Sequence, residues 1–241
     1  MIDTVMFDLD GTLLPVDTDR MIMEYFEAIS NKISDYFDKY YFQKALYSAS
    51  MDMINNLDPS KTNEEAFFDS FLKLVEYPKD KIMEIFTDFY ENDYKHLGAN
   101  VRKNEYAKAF VELLVDKGYD VILATNPIFP GIAIKERLRW AGIDHEYFSF
   151  VTSYEHMHFC KPHIQYYREI VEKLKKEPEN CIMIGNDVDE DVIAGTIGFK
   201  TYLLDEFLIN RKSKDISAFE HGNYKDLYEY IKGLPDISDR R

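Results

Sequence analysis

Residues 3–14 read DTVMFDLDGTLL, and this stretch decides the fold. Residues 3–8 look like a buried strand, short and mostly apolar, as expected where a sheet is covered on both faces. The strand runs into two carboxylates, Asp8 and Asp10, one residue apart. On an extended segment such a pair points the same way. Gly11 then lets the chain turn, with Thr12 behind it, so that backbone N–H groups face a bound anion. The pair can bind Mg2+ through oxygen. Equally, one carboxylate can attack phosphorus while the other moves protons. Taken alone, the same letters also describe a strand end with a solvated Asp-rich turn.

Working outward, the chain changes character twice. Residues 16–100 carry 17 acidic and 9 basic side chains, are rich in Phe and Tyr, and contain one glycine, Gly98. They read as amphipathic helices: residues 21–42, then 64–77, then 79–94. Thr62 and Glu65 have the spacing of a capping box before the second helix. From residue 99 onward, apolar strands alternate with helices. The strands are expected at 119–125, 148–153, 180–186 and 199–205, and the helices at 101–118, 130–143, 163–176, 189–198 and 223–234. This is the pattern of an α/β fold: a Rossmann-like, doubly wound parallel sheet with helices on both faces. Residues 1–15 and 99–241 would form this core domain, and 16–98 an inserted all-helical domain.

The 241 residues are 46% hydrophobic, ample for a real core, and carry a net charge of −15. That charge disfavours nucleic acid, which is held mainly by Lys and Arg on phosphates, and it disfavours anionic membrane surfaces. With two cysteines, Cys160 and Cys181, there is no disulfide framework. The N-terminus lacks the pattern of a signal peptide, and no apolar run approaches the roughly 20 residues of a membrane span. A soluble cytoplasmic protein is expected, as a monomer or homodimer.

In an open parallel sheet, active groups gather at the carboxyl ends of strands. Those ends supply Asp8 and Asp10, Thr125 and Asn126, and Asn186, Asp187 and Asp191, with Lys161 just before a helix. At this point DLDGT resembles the first motif of the haloacid dehalogenase superfamily of hydrolases. ILATN is similar to its second motif, Lys161 in CKPHIQYY to its third, and IGNDVDEDVIAGTIGF to its fourth. The four stand in family order from residue 3 to about 204, and the helical insertion resembles the family's small helical cap. The resemblance implies that Asp8 is the nucleophile and forms an aspartyl-phosphate. Asp10 would protonate the leaving oxygen, then activate water, and its backbone carbonyl would bind Mg2+. Thr125, Asn126 and Lys161, with the Gly11-Thr12 turn, would hold the phosphoryl oxygens. Phosphoryl transfer needs such positioning and charge neutralisation.

Two departures sharpen the reading. The family's true dehalogenases lack the second acid that Asp10 supplies, so dehalogenation is disfavoured, and the motif is not the DKTGT of ion-pumping ATPases. In the fourth motif Asn186 stands where a metal-binding aspartate is usual. Asp187 would ligate the metal instead or alongside it, with Asp191 orienting waters behind. The expected function is a Mg2+-dependent phosphatase acting on a small phosphomonoester. The alternatives are a phosphomutase of the same family or a catalytically quiet binding protein.

Other signals are weaker. His156, His158, Cys160 and His163 have spacing that zinc could use, but they read better as a polar loop ahead of Lys161, from which His158 or His163 could touch substrate. Tyr25, Phe26, Tyr36, Phe37, Tyr40 and Tyr41 read mainly as helix packing, although some Tyr or Met of residues 15–55 should face the substrate. Gly195 and Gly198 lack the full dinucleotide fingerprint and read as helix-end glycines.

Overall fold

A computed structural model describes residues 1–238. Six strands form one parallel sheet: β1 (Thr4–Phe7), β2 (Asp120–Leu123), β3 (Phe150–Val151), β4 (Cys181–Gly185), β5 (Lys200–Leu204) and β6 (Glu220–Gly222). Their order is β3-β2-β1-β4-β5-β6, with Thr4 in register with both Asp120 and Cys181. The order reverses at β1, so the crevice at a topological switch point opens beside the end of the strand that carries Asp8. Alternate residues feed opposite faces: Val5 and Phe7 enter one apolar cluster, Met6 the other. Both faces are covered, which is why these strands are apolar throughout.

Helices α5 (Glu105–Asp116), α6 (Gly131–Ala141) and α8 (Tyr224–Gly233) pack in the first cluster, and α7 (Ile164–Leu174) in the second. Between β1 and α5, residues 18–100 form α1 (Thr18–Lys32), α2 (Lys39–Ile54), α3 (Asn63–Val75) and α4 (Lys79–Asp88), and contain no strand. A π turn, Phe89–Asp93, and a 3-10 helix, Tyr94–Asn100, complete the segment. No helix among the described residues is long and apolar enough to cross a membrane.

The structure redraws several element boundaries. The helix expected at 21–42 breaks between Lys32 and Lys39, where the Asp38 carboxylate caps α2 by accepting the Tyr41 N–H at 2.8 Å. Residues 189–198 are not α-helical but a 3-10 helix over Val192–Ile197, as suits a stretch holding two glycines and a β-branched Thr196. The strand at 148–153 shrinks to two residues, and β6 is an addition too short to show alternation. The Thr62–Glu65 capping box is present as read.

The insertion is fastened to the sheet domain at two places, one in its middle and one near its end. At the start of α3, Asn63 and Glu64 N–H groups donate to the carbonyls of Met157 and Tyr154 (2.8 and 2.9 Å). The buried Asn63 side chain adds a bond to the Pro127 carbonyl at 3.2 Å. Near its end, Tyr94 stacks on Trp140 with centroids 5.3 Å apart. Gly98 allows that ring in, since a Cβ there would lie 2.3 Å from the indole.

Candidate active site

Asp8 directly follows β1, and its N–H donates to the Ile184 carbonyl on β4 (2.9 Å). The chain then turns through Gly11, whose φ of +82° is costly for other residues. A side chain there would also strike the Asn186 amide, 2.3 Å from the added carbon. The turn consumes its own amides: Gly11 N–H donates to Leu14 and Thr12 N–H to Leu9. Gly11 and Thr12 thus shape the corner, and their N–H groups are not presented to an anion as the sequence suggested. Thr12 donates its hydroxyl to Asn186 Oδ1 (3.0 Å), and Asn186 Nδ2 donates to the Phe207 carbonyl (2.6 Å).

Lys161 is the electrostatic centre. Only 1% exposed, its Nζ donates to Asp8 Oδ1 at 2.9 Å and to Asp191 Oδ1 at 2.7 Å. Asn126 aligns it: its Oδ1 accepts the Lys161 N–H (3.2 Å), while its Nδ2 donates to Glu190 Oε2 (3.2 Å). Thr125 is anchored through its carbonyl, which accepts from the hydroxyls of Thr152 (2.7 Å) and Tyr166 (2.9 Å). Asp187 accepts the N–H groups of Asp189 and Glu190 on one oxygen, and Arg211 Nη1 on the other at 2.8 Å. Asp191 Oδ2 accepts the Asp187 N–H (2.9 Å), which couples the two acids of the fourth motif.

A cavity of about 180 Å³ joins these groups. Asp8, Asp10, Thr125, Asn126 and Asp187 line it from the sheet side, and Thr18, Asp19, Ile22 and Ile54 from the insertion. The expected Tyr or Met contacts are therefore replaced by two isoleucines. Tyr25 turns away to pack on Phe129 and to share a 2.9 Å hydrogen bond with Tyr90. Tyr36, Tyr40 and Tyr41 are exposed away from the cavity, Tyr36 against Tyr77 and the Tyr41 hydroxyl donating to the Leu74 carbonyl. No zinc cluster forms among the described residues. Cys160 is buried in the core, and His158 Nδ1 is tied to Glu169 at 2.6 Å.

Three participants escaped the sequence reading. Arg137 on α6 is fully buried, pairs with Asp10 Oδ2, and lies over the Phe129 ring at 4.5 Å. Its signal was legible, since Ile134, Arg137, Leu138 and Ala141 share one core-facing stripe of α6. Arg211 bridges Asp187 and, at 3.1 Å, Asp19 of the insertion. Glu190 completes the acidic wall.

Five carboxylates (Asp8, Asp10, Asp187, Glu190 and Asp191) thus face three cations. Burial pushes the Asp8 carboxyl up to about 8 against the pull of Lys161, and Glu190 up to about 7. Asp10 is raised as well, because burial outweighs Arg137. Its Oδ1 is buried with no hydrogen-bond partner. The arrangement gathers oxygen donors whose protons a hard divalent cation could displace.

One consequence concerns stability. Between pH 4.5 and 7 the native chain keeps a proton on Glu190 that the unfolded chain has lost, so this group lowers stability as pH rises through that window. In EDTA, Glu190→Gln keeps the acceptor for Asn126 and should gain up to about 3 kcal/mol over the parent at pH 8. The gain should vanish below pH 4.5. Urea unfolding at the two pH values checks this, and a gain independent of pH would contradict it.

The carboxyl edge of this doubly wound sheet gathers an aspartate pair, a buried lysine and an acidic loop, the place where open α/β sheets carry their active sites. The chain belongs to the haloacid dehalogenase-like hydrolase family, whose model matches residues 2–196. It is similar to pyrophosphatase PpaX of Bacillus cereus, with 27% identity over 201 residues, 83% of this chain and 82% of that one. Among solved structures it resembles a HAD phosphatase from Thermococcus onnurineus (TM-score 0.59, 21% identity, 98% of this chain and 100% of that one). It also resembles L-2-haloacid dehalogenase from Xanthobacter autotrophicus (TM-score 0.58, 13% identity, 97% and 100%). A phosphatase and a dehalogenase share the fold, so the reaction must be argued from the site.

Proposed function

We propose that the protein is a Mg2+-dependent phosphatase that hydrolyses a small phosphomonoester through an aspartyl-phosphate on Asp8, with the helical insertion as its cap. The observation that carries this is Asp8 on the cavity wall, 2.9 Å from the Lys161 ammonium and two residues from a second acid. An anionic nucleophile can approach an anionic phosphate only where positive charge is built in. Lys161 supplies part of it.

In the first step an Asp8 oxygen forms a bond to phosphorus as the bond from phosphorus to the leaving oxygen breaks. Asp10 gives that oxygen a proton. Water then attacks the phosphorus of the aspartyl-phosphate, Asp10 takes its proton, and phosphate leaves with Asp8 restored. Burial raises the Asp10 carboxyl, and that direction favours the proton-bearing form a proton donor needs. Thr125 and Lys161 hold the phosphoryl oxygens, and Asn126 keeps Lys161 in line. Mg2+ would be held by the Asp8 carboxylate, the Asp10 carbonyl and Asn186 or Asp187, and would supply charge neutralisation. No three His, Cys, Asp or Glu side chains among the described residues form a ready metal cage.

A cavity of about 180 Å³ favours a small substrate. The likeness to PpaX favours pyrophosphate as a second candidate, a phosphoanhydride that the same steps would cleave. A cytoplasmic setting is supported by two buried free thiols.

The test is phosphate release from a panel of small phosphomonoesters and pyrophosphate, with Mg2+ titrated from an EDTA baseline. Turnover should appear only with the metal. Asp187→Ala or Asn186→Ala should raise the Mg2+ requirement by about 10–100-fold. Metal-independent turnover, or none on any substrate, would overturn the proposal.

A further inference from the structure

A second depression, lined in part by α6, shares no lining residue with the cavity at Asp8. It encloses about 720 Å³, within the range of small-molecule sites. Lys95 enters from the 3-10 helix that ends the insertion, Lys103 from the loop before α5, Lys108 from the first turn of α5, and Lys135 and Arg139 from α6. This is a concentration of positive charge on a chain of net −15.

The cations of the lining outnumber its acids, five to three. Glu136 is committed to Arg139 (2.5 and 2.9 Å) and to the Trp140 N–H (2.8 Å). Asp144 accepts the Glu146 N–H at 3.1 Å. Glu91 is the remaining acid of the lining. Lys108 leans outward to Glu112 at 3.4 Å. Lys95, Lys103 and Lys135 have no ion-pair partner among the described residues. Between them the floor is apolar, formed by Tyr90, Ile132, Ile143 and Tyr147.

We propose that this groove binds an anion with two or more linked phosphates, and that the bound anion ties the insertion to the sheet domain. Three unpaired ammoniums act as point charges of the kind that hold phosphate. Lysines drawn from three separate segments offer several contacts, which successive phosphates of a chain can share. The apolar floor offers a face for a nucleoside base, so a nucleotide and an inorganic polyphosphate share the recognised chemistry. Lys95 belongs to the insertion while Lys103 and Lys135 do not, so one ligand would bridge both units. The groove is independent of the chemistry at Asp8.

Calorimetric titrations of the full chain with ADP and with methylenediphosphonate, in EDTA, test the proposal. Near-stoichiometric binding is expected for at least one of them, weakened at least tenfold in Lys95→Gln/Lys135→Gln. Because those side chains are exposed and unpaired, the unliganded variant should unfold at the parent's temperature. Tighter binding of ADP would identify a nucleotide as the ligand, and equal binding an inorganic chain. Hydrogen exchange in residues 89–100 and 131–141 should slow with ligand in the parent and not in the variant. Binding unchanged by the double substitution would place the anion in the catalytic cavity and overturn the proposal. Absence of saturable binding at millimolar ligand would do the same.

Discussion

Asp8→Asn should abolish turnover, by about 10³–10⁶-fold on the scale of nucleophile removal in other enzymes that use covalent catalysis, while leaving the fold intact. The amide has the size of the carboxylate and still offers an oxygen to Lys161, so the 2.9 Å contact survives. What is lost is the anion that attacks phosphorus. Stability should not fall in parallel. Burial lifts the Asp8 carboxyl to about 8, so in the parent, without metal, the native state is progressively disfavoured as pH rises from about 4 to 8. A neutral amide has no such dependence, and the variant should therefore gain on the parent toward alkaline pH. Single-turnover assays alongside thermal unfolding at pH 5 and 8 separate the two effects. Activity above about a hundredth of the parent's would remove Asp8 from the nucleophile's role.

Lys161→Met should be the most destabilising single change at the site. Lys161 is buried between Asp8 and Asp191, and its removal leaves Asp191 in a dry cleft without its cation and Asp8 without its hydrogen-bond donor. Breaking a buried pair in this way costs about 3–5 kcal/mol, which for a chain of this length lowers the unfolding temperature by roughly 10 °C. Asp191 cannot swing away to relieve the loss. It packs so closely on Gly185 that a Cβ there would sit 2.1 Å from its Oδ2, and that oxygen also holds the Asp187 N–H. Calorimetric unfolding at pH 7 measures the cost. A loss below about 1 kcal/mol would show that the lysine does not neutralise this pair.

The sheet and the motif residues were readable because their determinants are local. A strand apolar on both faces, an acid pair two apart and a glycine that turns the chain are all written within a dozen residues. The Thr62–Glu65 cap is equally local, and it matches. What escaped depends on distant partners. Arg137 meets Asp10 across 127 positions, and Arg211 meets Asp187 and Asp19 through a loop whose course no periodicity records. The break after Lys32 was hidden because apolar spacing continues through it, and only the capping geometry at Asp38 reveals a second helix. The strand β6 pairs on the sheet edge with three residues, fewer than any alternation needs. The substrate-facing side of the insertion was misjudged for a related reason: aromatic rings were drawn toward one another, leaving Ile22 and Ile54 on the cavity.

The match to the family stops at residue 196, yet the machinery does not. The Phe207 carbonyl takes the Asn186 amide, Arg211 takes Asp187, and the Tyr224 hydroxyl reaches back 212 positions to the Thr12 carbonyl at 2.9 Å. The corner that follows Asp8 and Asp10 is thus propped by α8. A truncation drawn at the end of the recognisable motifs would keep Asp8, Asp10, Lys161 and Asp191 and remove the buttress beneath them. For this protein the minimal working unit extends through α8, and the C-terminal residues carry structural responsibility for chemistry encoded at the N-terminus.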